Sequence, residues 1–515
     1  GVRRPGAGDR LRDGSRAAPR FDAVLRGLMI VDASRDIATI AGSLPPDQLL
    51  DVIEAEDATP IVDVTRDSRE VLPGWAFACV VGENFDGHDF AAEAVAAGTA
   101  ALLVERPLPF DVPQVVVRDV RRAMGWFAAG VHGHPATKLR TVGITGTNGK
   151  TTTSHLIAAI LRSAGVETRV QGTLSGVRTT PEATDLQRLL AQYVADGVEA
   201  VVMEVSSHAL ALHRVAGMQF DVAVFTNLGR DHLDLHESME AYFRAKASLF
   251  ARSQSRRGVT NVDDPYGRLL LDAAEIDVTG FSLTDASHPE SGADRVSFEW
   301  RGRHVLVPLG GQFNVMNALA ALTAADVFGI DPDVAVAGIA MTPPVPGRFE
   351  VVTEPGVHPF SVVVDYAHTP DALAGVLATA RSITPAGDVV VVFGCGGDRD
   401  ADKRPLMGAA AAANADRVIV TSDNPRDEDP QAIIDAALSG IEPRYGGVVI
   451  VEPDRRRAIE LAIRDARPGD VIVIAGKGHE TTQTIGDIAT PFDDRSVARE
   501  VLAQLSRHDS TGEHA

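Results

Sequence analysis

Short runs of β-branched and apolar residues alternate with amphipathic stretches along nearly the whole chain, and each run ends in a polar cluster. "TVGIT", "VEAVVMEVSS", "FDVAVFTNL", "FSVVVDYAHTP", "DVVVVFGCGG", "DRVIVTSDN" and "GDVIVIAGKGHE" are such runs. A continuous apolar strand followed by a helix-period stretch suits a strand buried on both faces, with its crossover helix packed over it. Repeated many times, the pattern predicts α/β domains with mostly parallel sheets. Ligands of such sheets bind beyond the carboxyl ends of the strands, so the polar clusters are where chemistry is expected.

At 515 residues the chain is too long for one ordinary core. Two stretches read as breaks, "GVHGHPATKLR" (130–140) and the proline-rich "MTPPVPGRFEVV" (341–352). They predict three domains, 1–136, 137–348 and 349–515. The opening "GVRRPGAGDRLRDGSRAAPR" is rich in Arg and Gly but lacks the apolar segment of a signal peptide, and reads as a flexible extension. Cys79 and Cys395 lie far apart with no metal-ligand spacing, which fits a reducing, cytoplasmic compartment. No apolar run reaches bilayer length. A net charge of −21 argues against a general nucleic-acid binder, while a local basic pocket for an anionic small substrate stays open.

"GITGTNGKTTT" (143–153) follows a strand and opens a helix, the context a phosphate-binding loop requires. Gly146 and Gly149 let backbone amides approach phosphates at a helix N-terminus, Lys150 adds a point charge, and Thr151 can place a hydroxyl on Mg²⁺. The strict G-x-x-x-x-G-K-[ST] pattern fails by one place, because position 144 is Ile and the earlier glycine is Gly143. "FGCGGDRD" (393–400) invites a dinucleotide reading, but Arg399 stands where the last glycine should be.

Glu204, closing "AVVMEVSSH", is a carboxylate that a strand delivers towards the loop, and His232 follows the next strand in "TNLGRDHLDLH". Mg²⁺ takes oxygen ligands, few of them from protein. In "MEAYFRAKASLF" (239–250), Lys246 has Tyr242, Phe243, Leu249 and Phe250 at helical neighbour spacing. Either its stem snorkels to water, or its amine is partly desolvated with a lowered pKa. A neutral amine of that kind can take up CO₂ as a carbamate, a negatively charged oxygen ligand.

"TGTNGKTTT", "MEVSSHAL", "TNLGRDHLDLH" with "YFRAKASLF", "GQFNVMNALAA", "VPGRFE" and "DYAHTPDAL" occur in the order found in Mur ligases, the ATP-dependent amide ligases that build the peptide of peptidoglycan. The chain resembles that family from about residue 60 to its C-terminus. The resemblance implies a central P-loop-type ATP-binding domain, a C-terminal Rossmann-like domain, a smaller N-terminal UDP-substrate domain, and a monomer. It implies ATP contacts at Gly146, Thr147, Asn148, Gly149, Lys150, Thr151, Thr152, Asn317, Arg348, Asp365 and His368. Catalysis and Mg²⁺ binding would draw on Lys150, Thr151, Glu204, His232 and a carbamylated Lys246. His368 also reads as a simple helix-entry residue beside Pro370.

The region "TRDSREVLPGWAFACVVGENFDGHDF" (65–90) is similar to the part of the third-residue-adding members that grips UDP-MurNAc-L-Ala-D-Glu, with Ser68 and Arg69 as the contacting pair. Taken alone, "DSR" equally reads as a turn with an ion pair. Thr179, Thr180, Ser206 and Arg214 are similar to residues that hold the substrate's peptide and glutamate carboxylate. The next ligase in the series and folylpolyglutamate synthase share the ligase chemistry, though the latter should lack the UDP-sugar domain. A non-catalytic nucleotide-binding scaffold would be expected to lose Lys150, Glu204, His232 or Lys246, and all four are present.

In "TSDNPRDEDP", Arg426 sits among Asp423, Asp427, Glu428 and Asp429. It is either a surface charge paired locally or a guanidinium awaiting a carboxylate of the ligand. L-Lysine and meso-diaminopimelate share a reacting end, and only the latter carries a far-end carboxylate, which needs a planar cation when buried. "DNPR" resembles the diaminopimelate-adding type, whereas lysine-adding members carry another residue at the arginine position. The resemblance adds Arg399, Asp423, Asn424, Gly476 and Glu480 as contacts. Arg426→Lys should keep charge but lose the bidentate pairing, raising KM for diaminopimelate by about tenfold or more with the other substrates' KM nearly unchanged. Steady-state kinetics check this, and an unchanged KM for diaminopimelate would refute the assignment.

Overall fold

The computed structural model describes residues 35–512 except 55–59, 83, 177, 232, 237, 355, 385 and 443–444. The Arg-rich opening segment therefore lies outside the described residues, as does His232. The chain divides into two compact units, residues 1–135 with 183–197, and residues 136–182 with 198–515. Among the described residues, no helix is long and apolar enough to cross a membrane.

The first unit carries a sheet of β1 (Leu49–Ile53), β2 (Asp63–Thr65), β3 (Trp75–Ala78), β4 (Ala101–Val104) and β5 (Gln114–Val117), in the order β1-β5-β4-β3-β2. Only β1 runs antiparallel to its neighbour. The helix Ala183–Ala195 belongs to this unit although its sequence lies in the middle block. Arg188 explains the attachment: its Nε lies 2.5 Å from Asp63 Oδ2, a second nitrogen donates to the Val64 carbonyl at 3.0 Å, and the guanidinium sits 4.9 Å from the Trp75 ring centre. Asp63 is buried, with His132 Nε2 3.1 Å from its other oxygen. Burial alone would raise this carboxyl, but the His132 bond and the Arg188 charge hold it below its ordinary value.

The second unit holds a fully parallel sheet of β6 (Arg140–Thr145), β7 (Thr168–Gln171), β8 (Ala200–Glu204), β9 (Phe220–Phe225), β10 (Ser255–Asn261) and β11 (Asp277–Phe281), ordered β11-β10-β9-β6-β8-β7. The helices Lys150–Ser163 and Phe313–Val327 share a core with it through Ile144, Leu156, Ile160, Val202, Val224, Leu319 and Leu322. An antiparallel sheet of β12 (Ser287–Ser291), β13 (Val296–Trp300) and β14 (Arg303–Val307) adds Phe298 and Val305 to the same core.

The last sheet comprises β15 (Glu350–Val351), β16 (Ser361–Asp365), β17 (Val389–Phe393), β18 (Arg417–Val420), β19 (Val448–Val451) and β20 (Val471–Ala475), ordered β15-β16-β20-β17-β18-β19. All but β15 run parallel. β17 and β20 are buried along their whole length, as their unbroken apolar runs predict, because helices cover both faces. A hairpin of β21 (Thr482–Ile485) and β22 (Ile488–Pro491) stands beyond the strand ends.

One ion pair fastens the final helix to that sheet. Arg455 and Asp494 are both fully buried, paired at 2.8 and 2.7 Å, and the same guanidinium donates to the Ala475 carbonyl at 2.9 Å. Asp494→Asn leaves a buried, uncompensated guanidinium, and should destabilise the fold by about 3–5 kcal/mol. Denaturant unfolding measures it, and an unchanged midpoint would show that the pair contributes nothing net.

Candidate functional site

β6 ends at Thr145, and the loop 146–149 leads straight into the helix Lys150–Ser163. Gly149 caps that helix with φ 86°, and a Cβ on Gly146 would meet Thr226 Oγ1 at 1.9 Å, so both positions require glycine. The loop is held from β9's end: Asn227 Oδ1 accepts the Asn148 N–H at 2.9 Å, and Thr226 Oγ1 donates to the Asn148 carbonyl at 2.6 Å. Thr147 Oγ1 accepts from the Gly229 N–H at 2.9 Å. Thr152 is buried. Lys150 curls back over the loop, donating to the carbonyls of Gly146 and Thr147 at 2.9 and 2.8 Å, and burial lowers its pKa.

Thr151 is the node of the site. Its hydroxyl lies 3.0 Å from each Glu204 oxygen and 2.9 Å from the Arg348 guanidinium. Glu204 comes from the end of β8, where Thr173 also donates to it through its backbone N–H at 2.9 Å and its hydroxyl at 3.1 Å. Arg348 lies before β15 and stacks 4.5 Å from the Tyr366 ring centre. Asn317, on the helix Phe313–Val327, donates to Asn314 at 2.8 Å and accepts from Thr153 at 3.4 Å.

Lys246 is buried, not solvated. Its Nζ donates to the Gly146 carbonyl at 2.9 Å and lies 4.5 Å from the Tyr242 ring centre. Desolvation, with help from the nearby Lys150 charge, lowers its pKa well below the ordinary lysine value. Of the two readings open in the sequence, the desolvated amine is the one the packing supports.

β16 delivers Asp365, whose two oxygens accept the N–H groups of Phe349 and Ala367 at 2.7 Å each, and burial raises its pKa. His368 bonds the Tyr366 carbonyl through Nδ1 at 2.8 Å, while Nε2 stands 3.7 Å from Asp231, beyond β9. Lys403 reaches the other Asp231 oxygen at 3.9 Å. Neither Asp231 nor Lys403 stood out in the sequence, because each reads there as an ordinary surface charge.

At the ends of β18 and β20 the turn around Arg426 is fully engaged. Arg426 has φ 51°, its N–H donates to the Thr484 carbonyl at 3.1 Å, and its carbonyl accepts from Gly486 at 2.7 Å. Its guanidinium donates to the Gly397 carbonyl at 2.6 Å and pairs with no carboxylate among the described residues. Of the local acids, Glu428 takes Arg404 at 2.7 Å, Asp429 caps the next helix, and Asp427 is exposed. Asp423 and Asn424 are buried, and burial raises the Asp423 pKa. Asn424 Nδ2 donates to Glu480 at 2.8 Å, the Gly476 N–H donates to the Asp365 carbonyl at 3.1 Å, and Arg399 is exposed.

Thr180 bonds the Glu204 carbonyl at 2.9 Å and accepts from the Ser206 N–H at 3.2 Å, so both lie beside the end of β8. Thr179 reaches Thr173 at 3.1 Å, and Arg214 pairs with Glu182 at 2.9 Å. In the first unit, Ser68 donates to Glu93 at 2.9 Å, and Arg69 pairs with Asp67, the turn-and-ion-pair arrangement.

Among the described residues no three His, Cys, Asp or Glu side chains gather as a metal group. The Thr151 hydroxyl and Glu204 carboxylate are nonetheless hard oxygen donors converging beside the glycine-rich loop, and they fit Mg²⁺ sharing its sphere with phosphate and water.

A glycine-rich loop on a parallel sheet, a carboxylate on the adjacent strand and basic side chains around both define a nucleotide-binding α/β protein. The chain matches three family models, described as the Mur ligase middle domain (residues 144–325), the Mur ligase glutamate ligase domain (347–478) and the Mur ligase family catalytic domain (60–132). It is 44% identical over 490 residues to the UDP-N-acetylmuramoyl-L-alanyl-D-glutamate–2,6-diaminopimelate ligase of Streptomyces coelicolor, covering 88% of this chain and 94% of that one. The ligase of the same name from Solibacter usitatus is 45% identical over 475 residues, covering 88% and 95%. A solved structure of such a ligase aligns with TM-score 0.63 at 36% identity, covering 88% of this chain and 97% of the other. MurF from Thermotoga maritima in complex with ADP shares the fold with TM-score 0.58 at 20% identity, covering 88% and 98%. The chain belongs to the Mur ligase family.

The buried Lys246 makes a signed prediction. A lysine with its folded pKa depressed below 10.5 is disfavoured as pH falls, so stability rises with pH between the folded and unfolded values. Lys246→Met removes that cost. The variant should gain stability over wild type at about pH 7, with the difference shrinking towards about pH 10. Denaturant unfolding at both values tests this, and a constant difference would show that Lys246 keeps its proton in the fold.

Proposed function

We propose that this protein is an ATP-dependent ligase that joins meso-diaminopimelate to UDP-MurNAc-L-Ala-D-Glu, a step of peptidoglycan precursor synthesis in the cytoplasm. A carboxylate oxygen of the nucleotide-sugar dipeptide attacks the γ-phosphorus of ATP, giving an acyl phosphate and releasing ADP. The amine of diaminopimelate then attacks the acyl carbon and expels phosphate, forming the amide. A free carboxylate is a poor acyl donor and phosphate a good leaving group, which is why the ATP is needed. Catalysis of this kind is positioning and charge neutralisation.

The loop amides of 146–149, with Lys150, bind the phosphates, and Asn317, Asp365 and His368 line the rest of the nucleotide site. Arg348, whose guanidinium bonds the Thr151 hydroxyl, neutralises charge at the transferring phosphoryl group in this reading. Mg²⁺, held by Thr151 and Glu204 with His232 and a carbamylated Lys246 as further ligands, would supply electrostatic stabilisation of the phosphates. Thr179, Thr180, Ser206 and Arg214 hold the dipeptide, and Ser68 the uridine end. Three functional segments follow, 1–136 for the UDP-sugar, 137–348 for ATP and 349–515 for the amino acid.

The observation that carries the choice of amino acid is Arg426, whose guanidinium pairs with no carboxylate among the described residues while Glu428 and Asp429 are engaged elsewhere. A ligand carboxylate fits it, and Glu480 offers the opposite charge for the distal ammonium. Phosphate release with UDP-MurNAc-L-Ala-D-Glu and ATP should depend strongly on meso-diaminopimelate and weakly on L-lysine. Strong turnover with lysine alone would overturn the specificity and keep the family.

A further inference from the structure

Lys477 follows β20 inside a glycine-rich turn, where a lysine is expected to reach water. It is fully buried instead. Burying an ammonium is costly unless it is well partnered. Its Nζ lies 3.1 Å from Asn424 Oδ1 and 3.1 Å from Glu480 Oε2. Asn424 Nδ2 donates to that same Glu480 oxygen at 2.8 Å, and Asn424 Oδ1 also accepts the Thr484 N–H at 3.0 Å. Three side chains from the ends of two neighbouring segments thus close into one hydrogen-bonded ring.

The ring leaves particular groups over. Glu480 Oε2 and Asn424 Oδ1 each accept two donors, while Glu480 Oε1 and one Asn424 N–H make no bond within it. Burial would raise the Glu480 carboxyl, but the Lys477 charge and the two hydrogen bonds hold it below its ordinary value. The carboxylate is therefore both ionised and fixed in rotamer.

Resting on the functional reading above, we infer that Lys477 is a positioning residue of the amino-acid site, locking Glu480 and Asn424 so that the remaining carboxylate oxygen and amide N–H face the incoming amino acid. It acts through its two partners. Without it, Glu480 and Asn424 would each be released to other rotamers, and binding would weaken while the phosphate chemistry stayed intact.

Phosphate release by the full chain, with diaminopimelate varied, tests this on Lys477→Gln, Lys477→Met, Glu480→Gln and the double variant K477Q/E480Q. Each single variant should raise KM for diaminopimelate by about tenfold or more, with KM for ATP and the UDP-dipeptide within about twofold of wild type. The double variant should be no worse than the worse single one, because both changes break the same ring. Independent, multiplying effects in the double variant would overturn the inference, as would an unchanged KM in folded Lys477 variants. Unfolding of every Lys477 variant would assign the lysine to folding of the turn, and would overturn it too. Absence of diaminopimelate-dependent release by the wild-type enzyme would instead overturn the functional reading, and this inference with it.

Discussion

The Thr151 hydroxyl joins two things that the chain brings from far apart: the Glu204 carboxylate at the end of β8 and the Arg348 guanidinium from the segment before β15. One small group therefore ties a parallel sheet to the start of the next. It can do so because it heads the helix whose N-terminus carries the glycine-rich loop, where unsatisfied amides and the helix dipole favour anions. The loop has no freedom to wander, being bonded from β9 through Thr226 and Asn227. The two lysines beside it are equally constrained, since Lys150 and Lys246 both donate to the Gly146 carbonyl. Such an arrangement is preorganised for negative charge before any ligand arrives.

What could be read from the sequence was whatever depends on neighbours along the chain. The glycine-rich loop, the strand before it and the helix after it form a local unit, and the apolar runs of β17 and β20 announce strands buried on both faces. The family order of motifs extended that reading to residues at several strand ends. The structure puts Thr151, Glu204 and Arg348 together, and brings Asn424 beside Glu480.

The rest was hidden because it depends on contacts distant in sequence. The helix Ala183–Ala195 lies in the middle of the chain, yet Arg188 fastens it to Asp63 of the first unit, a pairing with no local signature. Lys246 offered two readings, and only the packing around Gly146 and Tyr242 decides between them. Lys477 gave no sign at all, because a lysine flanked by glycines looks solvated until the surrounding turn is seen to close over it. Arg426 was visible as a charge among acids, but which acids were taken by Arg404 or by helix capping could not be read without the fold.

The β21–β22 hairpin has a consequence out of proportion to its size. It grips both the N–H and the carbonyl of Arg426, holding a non-glycine residue in a left-handed conformation that it would rarely adopt unaided. The guanidinium is thus aimed by a lever whose far end is solvent-exposed. Changing the length or twist of this outlying ribbon would therefore re-aim the guanidinium without any change at Arg426 itself.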